Sequence, residues 1–390
     1  MDEGNVLKVV HFITDLDTGG AEMMLYKLLA VWQLESSISS TVVTLMKRGS
    51  ITDRIESLGV KVYSLGMVQG GWPTLGMLLE LNRIIRTVRP DLIQGWMYHG
   101  NIAATVATLF LRLSLHSVRL VWNIRQTLYD IGYEKRLTRL LIDLNRLCSR
   151  LPSKVIYNST LSAEQHEGIG FSIKRREVIP NGFDLQRFRP DGSATVTLKR
   201  QLGMPMDTLL VGHISRFHPM KGHTTLLQAA RLVVDDLGEQ NRVRFLLIGR
   251  GVTKQQDELV RLIDELELSP YVSLMGERSD VERIMAAVDL VVSPSSWGEG
   301  FPNVVGEAMA CGTPCVVTDV GDSATVVDNT GRVINAKDYN AMAREIEMML
   351  LNQEKRIELG DQARRRVEEH YSIDAIATRY QNFYQLLCQL

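Results

Sequence analysis

At 390 residues, 45% of them hydrophobic, the chain is long for one domain and carries enough apolar residues for two cores. A formal net charge of -1 lacks the basic excess of a nucleic-acid binder, and four cysteines (Cys148, Cys311, Cys315, Cys388) make no disulfide framework in a chain of this size. The balance hides an asymmetry: residues 1–190 carry 23 Lys and Arg against 17 Asp and Glu, the remainder 21 against 28. A basic first half suits an acidic partner such as a lipid phosphate or membrane surface, or is simply a solvated face.

Taken in order, Val6 to Ile13 reads as a buried strand, and Asp15-Leu-Asp-Thr-Gly-Gly-Ala-Glu22 as a turn before a helix of Glu22 to Trp32. The turn lacks G-x-G-x-x-G spacing, which lowers a dinucleotide-dehydrogenase reading. Strands and helices then alternate through Thr41 to Leu45, Val60 to Leu65, a long helix from Pro73 to Val88, and Leu92 to Trp96. This alternation predicts an α/β fold with parallel sheets covered on both faces. Met97-Tyr-His-Gly-Asn101 reads as a polar strand end before a helix of Ile102 to Leu111. His99 there is a candidate proton carrier or acceptor contact, or a helix-capping histidine. Leu120 to Ile124 is a further strand ending at Arg125-Gln-Thr-Leu-Tyr129. Lys135 to Leu151 is basic and amphipathic, with Leu137, Leu140, Leu141, Leu144, Leu147 and Leu151 on one side. Packing of that leucine face on its own sheet is the first expectation, and contact with anionic lipid the second.

Val178-Ile-Pro-Asn-Gly-Phe-Asp184 has the residues of a turn, and alternation resumes with Leu209 to Ile214. That strand ends in Ser215-Arg216-Phe-His-Pro-Met-Lys221-Gly222 before a helix of Thr224 to Asp236. Two cations five residues apart, at a strand end and a helix mouth, can pinch a diphosphate: Arg216 with a planar fork of donors, Lys221 as a point charge. A surface ion pair is the plainer alternative. No G-x-x-x-x-G-K-[ST] is present, so ATP hydrolysis is not indicated. Strands at Phe245 to Ile248, ending at Gly249, and Val272 to Met275, ending at Gly276-Glu-Arg278-Ser, lead to the chain's richest stretch, Ser293 to Cys315. Here a strand end and a Gly-rich loop precede a helix of Asn303 to Ala310. Its first amides favour an anion, while Glu299 and Glu307 supply acceptors for hydroxyl groups. A nucleotide sugar offers both.

Glu299 and Glu307, seven residues between them, match the E-x7-E signature of the retaining glycosyltransferases of family 4, which this sequence resembles. The likeness includes Gly19-Gly20-Ala21-Glu22, Ile179-Pro-Asn-Gly-Phe-Asp184, and Gly212-His-Ile-Ser-Arg216 followed by Lys221-Gly222. The resemblance implies the GT-B fold of two Rossmann-like domains facing across a cleft. Residues 1–185 would bind the acceptor and 186–372 the nucleotide sugar, with 373–390 a helix crossing back to the first domain. It also implies that Gly19 and Gly20 face the cleft, that Gly276 and Arg278 border the base, that Glu307 holds the ribose and Glu299 the sugar. Gly249, Gly300, Phe301, Pro302, Asn303 and Val304 complete the expected donor site, and Glu299, Arg216, Lys221 and His99 the catalytic set. Many family members carry a histidine near Arg125; an arginine cannot serve as a base, so that role is not carried over.

The expected reaction moves a sugar, with retention, from a nucleoside diphosphate to a glycan or polyprenyl-diphosphate-linked acceptor in surface polysaccharide assembly. UDP is favoured over GDP, and no metal or other cofactor is required: Arg216, Lys221 and helix amides would stabilise the departing diphosphate, while Asp15-Leu-Asp17 has metal-site spacing on the acceptor side only. A sugar-nucleotide epimerase and a nonenzymatic nucleotide-sugar binder stay open as alternatives. The acidic start Met1-Asp-Glu-Gly and the lack of an apolar run near the about 20 residues of a membrane span predict a cytoplasmic protein, at the inner membrane face if peripheral.

Overall fold

Apolar strands alternating with amphipathic helices build two separate parallel sheets in this protein. The structure, a computed structural model, describes residues 6–17, 19–35, 38–68, 70–71, 73–113, 116–128, 136–238 and 242–389. Thr18 of the first loop, Tyr129, Lys135 and the acidic Met1-Asp-Glu-Gly lie outside the described residues. The chain divides into two units, one running to Gly182 and resuming at Ile373, the other Phe183–Ser372. The division falls at Gly182 and Phe183 rather than at Leu185, because the Phe183 amide donates to Tyr371 O at 2.8 Å and its ring stacks on Phe301.

In the first unit the order is β1 (Leu7–Ile13), α1 (Gly20–Glu35), β2 (Ile38–Met46), α2 (Thr52–Ser57), β3 (Lys61–Met67), α3 (Leu75–Val88) and β4 (Leu92–Trp96). It continues with α4 (Met97–Leu113), β5 (Arg119–Ile124), α5 (Arg136–Cys148), β6 (Lys154–Tyr157), α6 (Thr160–Gly168) and β7 (Arg176–Val178). The described strands form a parallel sheet ordered β3-β2-β1-β4-β5-β6-β7. Side chains alternate as a two-residue period requires: Val9 and Ile13 join one apolar layer, Val10 and Phe12 the other. The last helix, α15, returns to this unit as Ile373–Gln389. It buries Ile376, Ala377, Tyr380 and Tyr384, and Ala377 O accepts from Trp32 Nε1 at 3.2 Å.

The second unit runs α7 (Ala194–Gln201), β8 (Leu209–Ile214), α8 (His223–Leu237), β9 (Val243–Ile248), α9 (Asp257–Glu265), β10 (Val272–Leu274) and α10 (Val281–Ala287). Then come β11 (Leu290–Ser293), α11 (Asn303–Ala310), β12 (Cys315–Thr318), α12 (Ser323–Val327), β13 (Arg332–Ile334), α13 (Tyr339–Leu351) and α14 (Gln353–His370). Its sheet is ordered β10-β9-β8-β11-β12-β13. Each sheet thus reverses direction of winding once, between β1 and β4 and between β8 and β11. Such switch points open a crevice beyond the carboxyl ends of the strands, where ligands of open α/β sheets bind.

Two local expectations change. The segment Met97 to Asn101 is not a strand end before a helix but the first turn of α4, which starts directly after β4 through Met97 at φ 60. Glycines allow that abrupt junction: a Cβ on Gly100 would meet Phe12 O at 2.4 Å, and one on Gly95 the Asn101 Cα at 2.4 Å. In α5 most of the leucine face does not pack on the sheet; only Leu141 of it joins the buried layer. Ile142 and Asn145 are buried instead, and Leu140 and Leu147 are 55% and 72% exposed. Asn145 tolerates burial because its Nδ2 donates to Tyr98 O and Leu141 O at 3.1 and 2.8 Å. Among the described residues no helix is long and apolar enough to cross a membrane.

Candidate active site

In the second unit the two loops that leave the switch point, one after β8 and one after β11, are locked to each other. Gly222, at φ 69, lies so close to Pro294 that a Cβ would fall 1.9 Å from its carbonyl oxygen. The Ser296 amide donates to Met220 O at 2.8 Å. On the far side Gly321, at φ 63, would set a Cβ 2.0 Å from Glu299 O, and the Asp322 amide donates to Gly300 O at 3.0 Å. Only glycine fits both approaches, which combine left-handed φ with backbone contact.

Between these loops Lys221 Nζ and Glu299 Oε2 pair at 2.7 Å, largely screened from solvent, and Ser295 Oγ donates to the same Glu299 oxygen at 2.8 Å. Lys221, Glu299, Ser295, Ser215, Pro302 and Val304 line one small cavity. Behind it His213 is fully enclosed: its Nδ1 donates to Val292 O at 3.0 Å and its Nε2 accepts from Ser215 Oγ at 2.9 Å. Burial holds the His213 imidazole well below its ordinary value, with His223 adding to the effect. His223, packed edge-on against it at 4.7 Å, is pushed down to about 4 by burial and by the Lys221 charge. Both imidazoles are therefore neutral near pH 7, and Lys221 is the cation that lines this cavity. Arg216 is exposed and has no carboxylate partner among the described residues; its guanidinium lies 3.9 Å from Met220 Sδ.

The remaining expected donor contacts are distributed as follows. Gly249 abuts the β8 loop, where a Cβ would meet Ser215 O at 2.0 Å, and its amide donates to Gly276 O at 2.8 Å. The β9 and β10 loops therefore reach the same strand edge as Arg216. Arg278 is forked onto Asp280 by two bonds of 2.8 and 2.7 Å. Gly300, Pro302, Asn303 and Val304 lead into α11, which no side chain caps. Phe301 departs from the expectation: its ring is buried between Phe183 and Tyr371, so only its backbone is placed to meet a ligand. Glu307 is half-buried one turn inside α11. Ser295 and Ser215 were missed in the sequence, although each stands within six residues of a charged residue already singled out.

In the first unit Gly19, Gly20 and His99 flank the β1 and β4 switch. A Cβ on Gly20 would meet nothing, whereas Gly19 is overlaid by the Glu22 carboxylate at 2.2 Å. Asp15 and Asp17 accept loop amides, from Asp17 and Ser50, at 3.2 and 3.0 Å. Burial lowers His99, and the nearby Asp15 charge opposes the shift. Arg125 is built into the structure: Nη1 donates to Tyr380 OH at 2.9 Å and Asn123 Oδ1 at 3.3 Å, and Nη2 donates to Asn181.

Comparison with known proteins agrees with this geometry. Residues 196–366 match the model for glycosyl transferases group 1, and residues 18–187 that for Glycosyltransferase Family 4. EpsF of Bacillus subtilis (strain 168), named as a glycosyltransferase, is 26% identical over 326 residues, covering 80% of this chain and 79% of that one. The Escherichia coli UDP-Gal:alpha-D-GlcNAc-diphosphoundecaprenol alpha-1,3-galactosyltransferase is 29% identical over 181 residues, 45% of this chain and 46% of that one. The crystal structure of Anabaena HepE in complex with UDP aligns with a TM-score of 0.79 at 24% identity, covering 98% of this chain and 100% of that chain. With one family model on each unit and this two-sheet architecture, the chain belongs to the family 4 glycosyltransferases, of GT-B fold.

Proposed function

We propose that this glycosyltransferase moves a sugar, with retention of anomeric configuration, from a UDP-sugar to a hydroxyl of a lipid-linked glycan, on the cytoplasmic side of a membrane. The observation that carries the reading is the Lys221, Glu299 and Ser295 cluster at the β8 and β11 switch point, beside the unpaired Arg216. UDP is preferred over GDP in this reading because the similar HepE structure holds UDP, and the lipid-linked acceptor because the similar E. coli enzyme is named for a diphosphoundecaprenol substrate.

Transfer breaks the bond between the anomeric carbon and the phosphate oxygen, so negative charge gathers on the departing diphosphate. Arg216 and Lys221 stabilise that charge, with the first amides of α11 adding their dipoles, and no metal is needed for the step. When a diphosphate takes up Lys221, the Glu299 carboxylate is released from its ion pair and accepts from the sugar hydroxyls. Glu307 accepts from the ribose. Gly249, Gly276 and the backbone of Phe301 border the nucleotide. The acceptor is held by the first unit near Gly19, Gly20 and His99, and the leaving phosphate takes the acceptor proton.

Calorimetric titration with UDP, GDP and ADP tests the donor assignment. Selective UDP binding, weakened at least about tenfold by Arg216→Ala and by Glu307→Ala, is expected. Equal affinity for the three nucleotides, or variants that bind like the wild type, would overturn it. Product anomers resolved by NMR decide retention.

A further inference from the structure

The first unit contains a groove that the donor chemistry does not use. It runs between α3, α4 and α5 over the end of β3, with Met77, Leu81, Val106, Leu137 and Leu144 among its walls, and its volume is about 240 Å³. Among the described residues that line it, His99 alone has a polar side chain. We propose that this groove holds the hydrocarbon chain of a lipid-linked acceptor, one chain drawn out of the membrane, with His99 marking the end from which the phosphate and sugar emerge. The inference rests on the acceptor reading above and adds a site to it.

Three observations choose this occupant. First, the groove is continuous with the functional edge of its sheet: His99 sits in the first turn of α4, at the β1 and β4 switch point, within electrostatic reach of Asp15. A chain lying along Leu81 and Val106 therefore delivers its polar end to the place where acceptors of this sheet type collect. Second, the walls suit hydrocarbon and not peptide. A bound peptide would bring backbone amides into a cleft with one polar side chain among the described residues, and each amide left unpaired there is penalised. An aliphatic chain carries no such penalty and gains from every apolar contact.

Third, the outer face of α5 is charge-complementary to the layer that stores such lipids. Leu140, Leu147 and Leu151 stand exposed near Arg136, Arg139 and Arg150, Arg146 being paired with Asp143 at 3.2 Å, and Leu75 and Leu79 of α3 are exposed as well. An apolar stripe bordered by arginines matches an anionic headgroup layer over an acyl interior. The helix can thus rest where the lipid is stored while the groove behind it takes the chain.

A photoactivatable farnesyl phosphate, crosslinked to the full-length protein and mapped by peptide mass spectrometry, tests the site. The expected label falls on peptides containing Met77–Leu81, Ile102–Val106 or Leu137–Leu144, and is competed by undecaprenyl phosphate but not by inorganic phosphate. Val106→Trp should fill the groove and lower labelling at least about tenfold, with UDP affinity and melting temperature kept. Should that variant fail to fold, Leu137→Ser with Leu144→Ser at the half-exposed rim should lower labelling several-fold. Binding to phosphatidylglycerol vesicles should survive Val106→Trp; a parallel loss of vesicle binding and labelling would make this face a bilayer-docking surface and overturn the chain site. Label elsewhere, or label indifferent to both variants, also overturns it. Loss of UDP binding in the wild type would sink the enzymatic reading instead, whereas UDP binding without groove labelling defeats the groove alone.

Discussion

The two units solve the same topological problem with different materials at their switch points. In the second unit the β8 and β11 loops are held by backbone contacts that admit only glycine, and between them charge faces charge, Lys221 against Glu299. In the first unit the corresponding edge carries one half-buried histidine, and beyond it an apolar groove. A site that must stabilise a diphosphate needs fixed cations in fixed loops, because preorganised charge acts without reorganisation during the reaction. A site for a lipid-linked acceptor needs area and shape instead. The contrast teaches why the half proposed for the donor carries short motifs, while the half proposed for the acceptor is marked only by a surface.

The comparison predicts its largest effect at Lys221. Replacing it with alanine removes a cation from the proposed diphosphate site and leaves Glu299, with Ser295 as its remaining bond, without a counter-charge. Turnover per donor bound should fall about 10²–10³-fold, the range for loss of one transition-state donor, read as kcat in a coupled UDP-release assay. The fold should persist, since the two loops are locked by glycine contacts and not by this ion pair. A variant with wild-type kcat would break the assignment of the second unit as the charged half.

Acid should weaken both units, through groups outside either site. His11 is buried to the point that its pKa falls to about 3, and Trp96 Nε1 donates to its Nδ1 at 3.3 Å, so that nitrogen must be unprotonated. Burial lowers His166 to about 4; its Nδ1 donates to Ser162 O at 2.7 Å and its Nε2 accepts from Tyr98 OH at 2.8 Å. His223 in the second unit is likewise near 4. A histidine whose folded pKa lies below its unfolded value of 6.5 binds its proton more readily in the unfolded chain. Stability is therefore complete above pH 6.5, and each such group removes about 1.4 kcal/mol per pH unit as pH falls toward its folded pKa. Urea unfolding at pH 7.5, 6 and 5 checks the slope. A flat profile would mean that these imidazoles are not buried as described.

Much of the architecture was legible from periodicity alone, because runs such as Leu92–Trp96, Leu209–Ile214 and Asn303–Ala310 have one reading each and bear their own stop signals. The meeting of Lys221 and Glu299 was legible from residue type, because each stands close in sequence to one of the two strand ends that flank the switch point. What sequence hid were properties set by distant partners. The amphipathic period of α5 shows that one face is leucine-rich but not whether protein covers it, and burial of Ile142 and Asn145 beside Leu141 turns the helix so that Leu140 and Leu147 face outward. Phe301 was expected as a ligand contact because it stands in the Gly-rich loop before α11. Its ring is taken by Phe183 and Tyr371, which no local pattern connects to it. The helical start at Met97 depends on Gly95 and Gly100 meeting the backbones of Asn101 and Phe12, a fit visible only in three dimensions.

The smallest expected effect is the sharpest test of how the first unit uses charge. Arg125 ends β5, where the resembled family often has a histidine, yet its guanidinium is committed to Tyr380 OH, Asn123 Oδ1 and Asn181, and so ties α15 and the segment before Gly182 to the sheet. Its Nε is buried without a hydrogen-bond partner. Arg125→Lys keeps the charge but cannot reproduce a planar fork reaching three acceptors. The unit should lose about 1–2 kcal/mol of stability, the scale of one or two hydrogen bonds to a charged group, measured as a shift in the urea midpoint. UDP affinity should not change, and kcat should fall less than about tenfold, below the loss of a transition-state donor. If kcat instead collapses while stability holds, Arg125 acts on the substrate, and the first unit too would rely on a fixed charge, erasing the division of labour between the two edges.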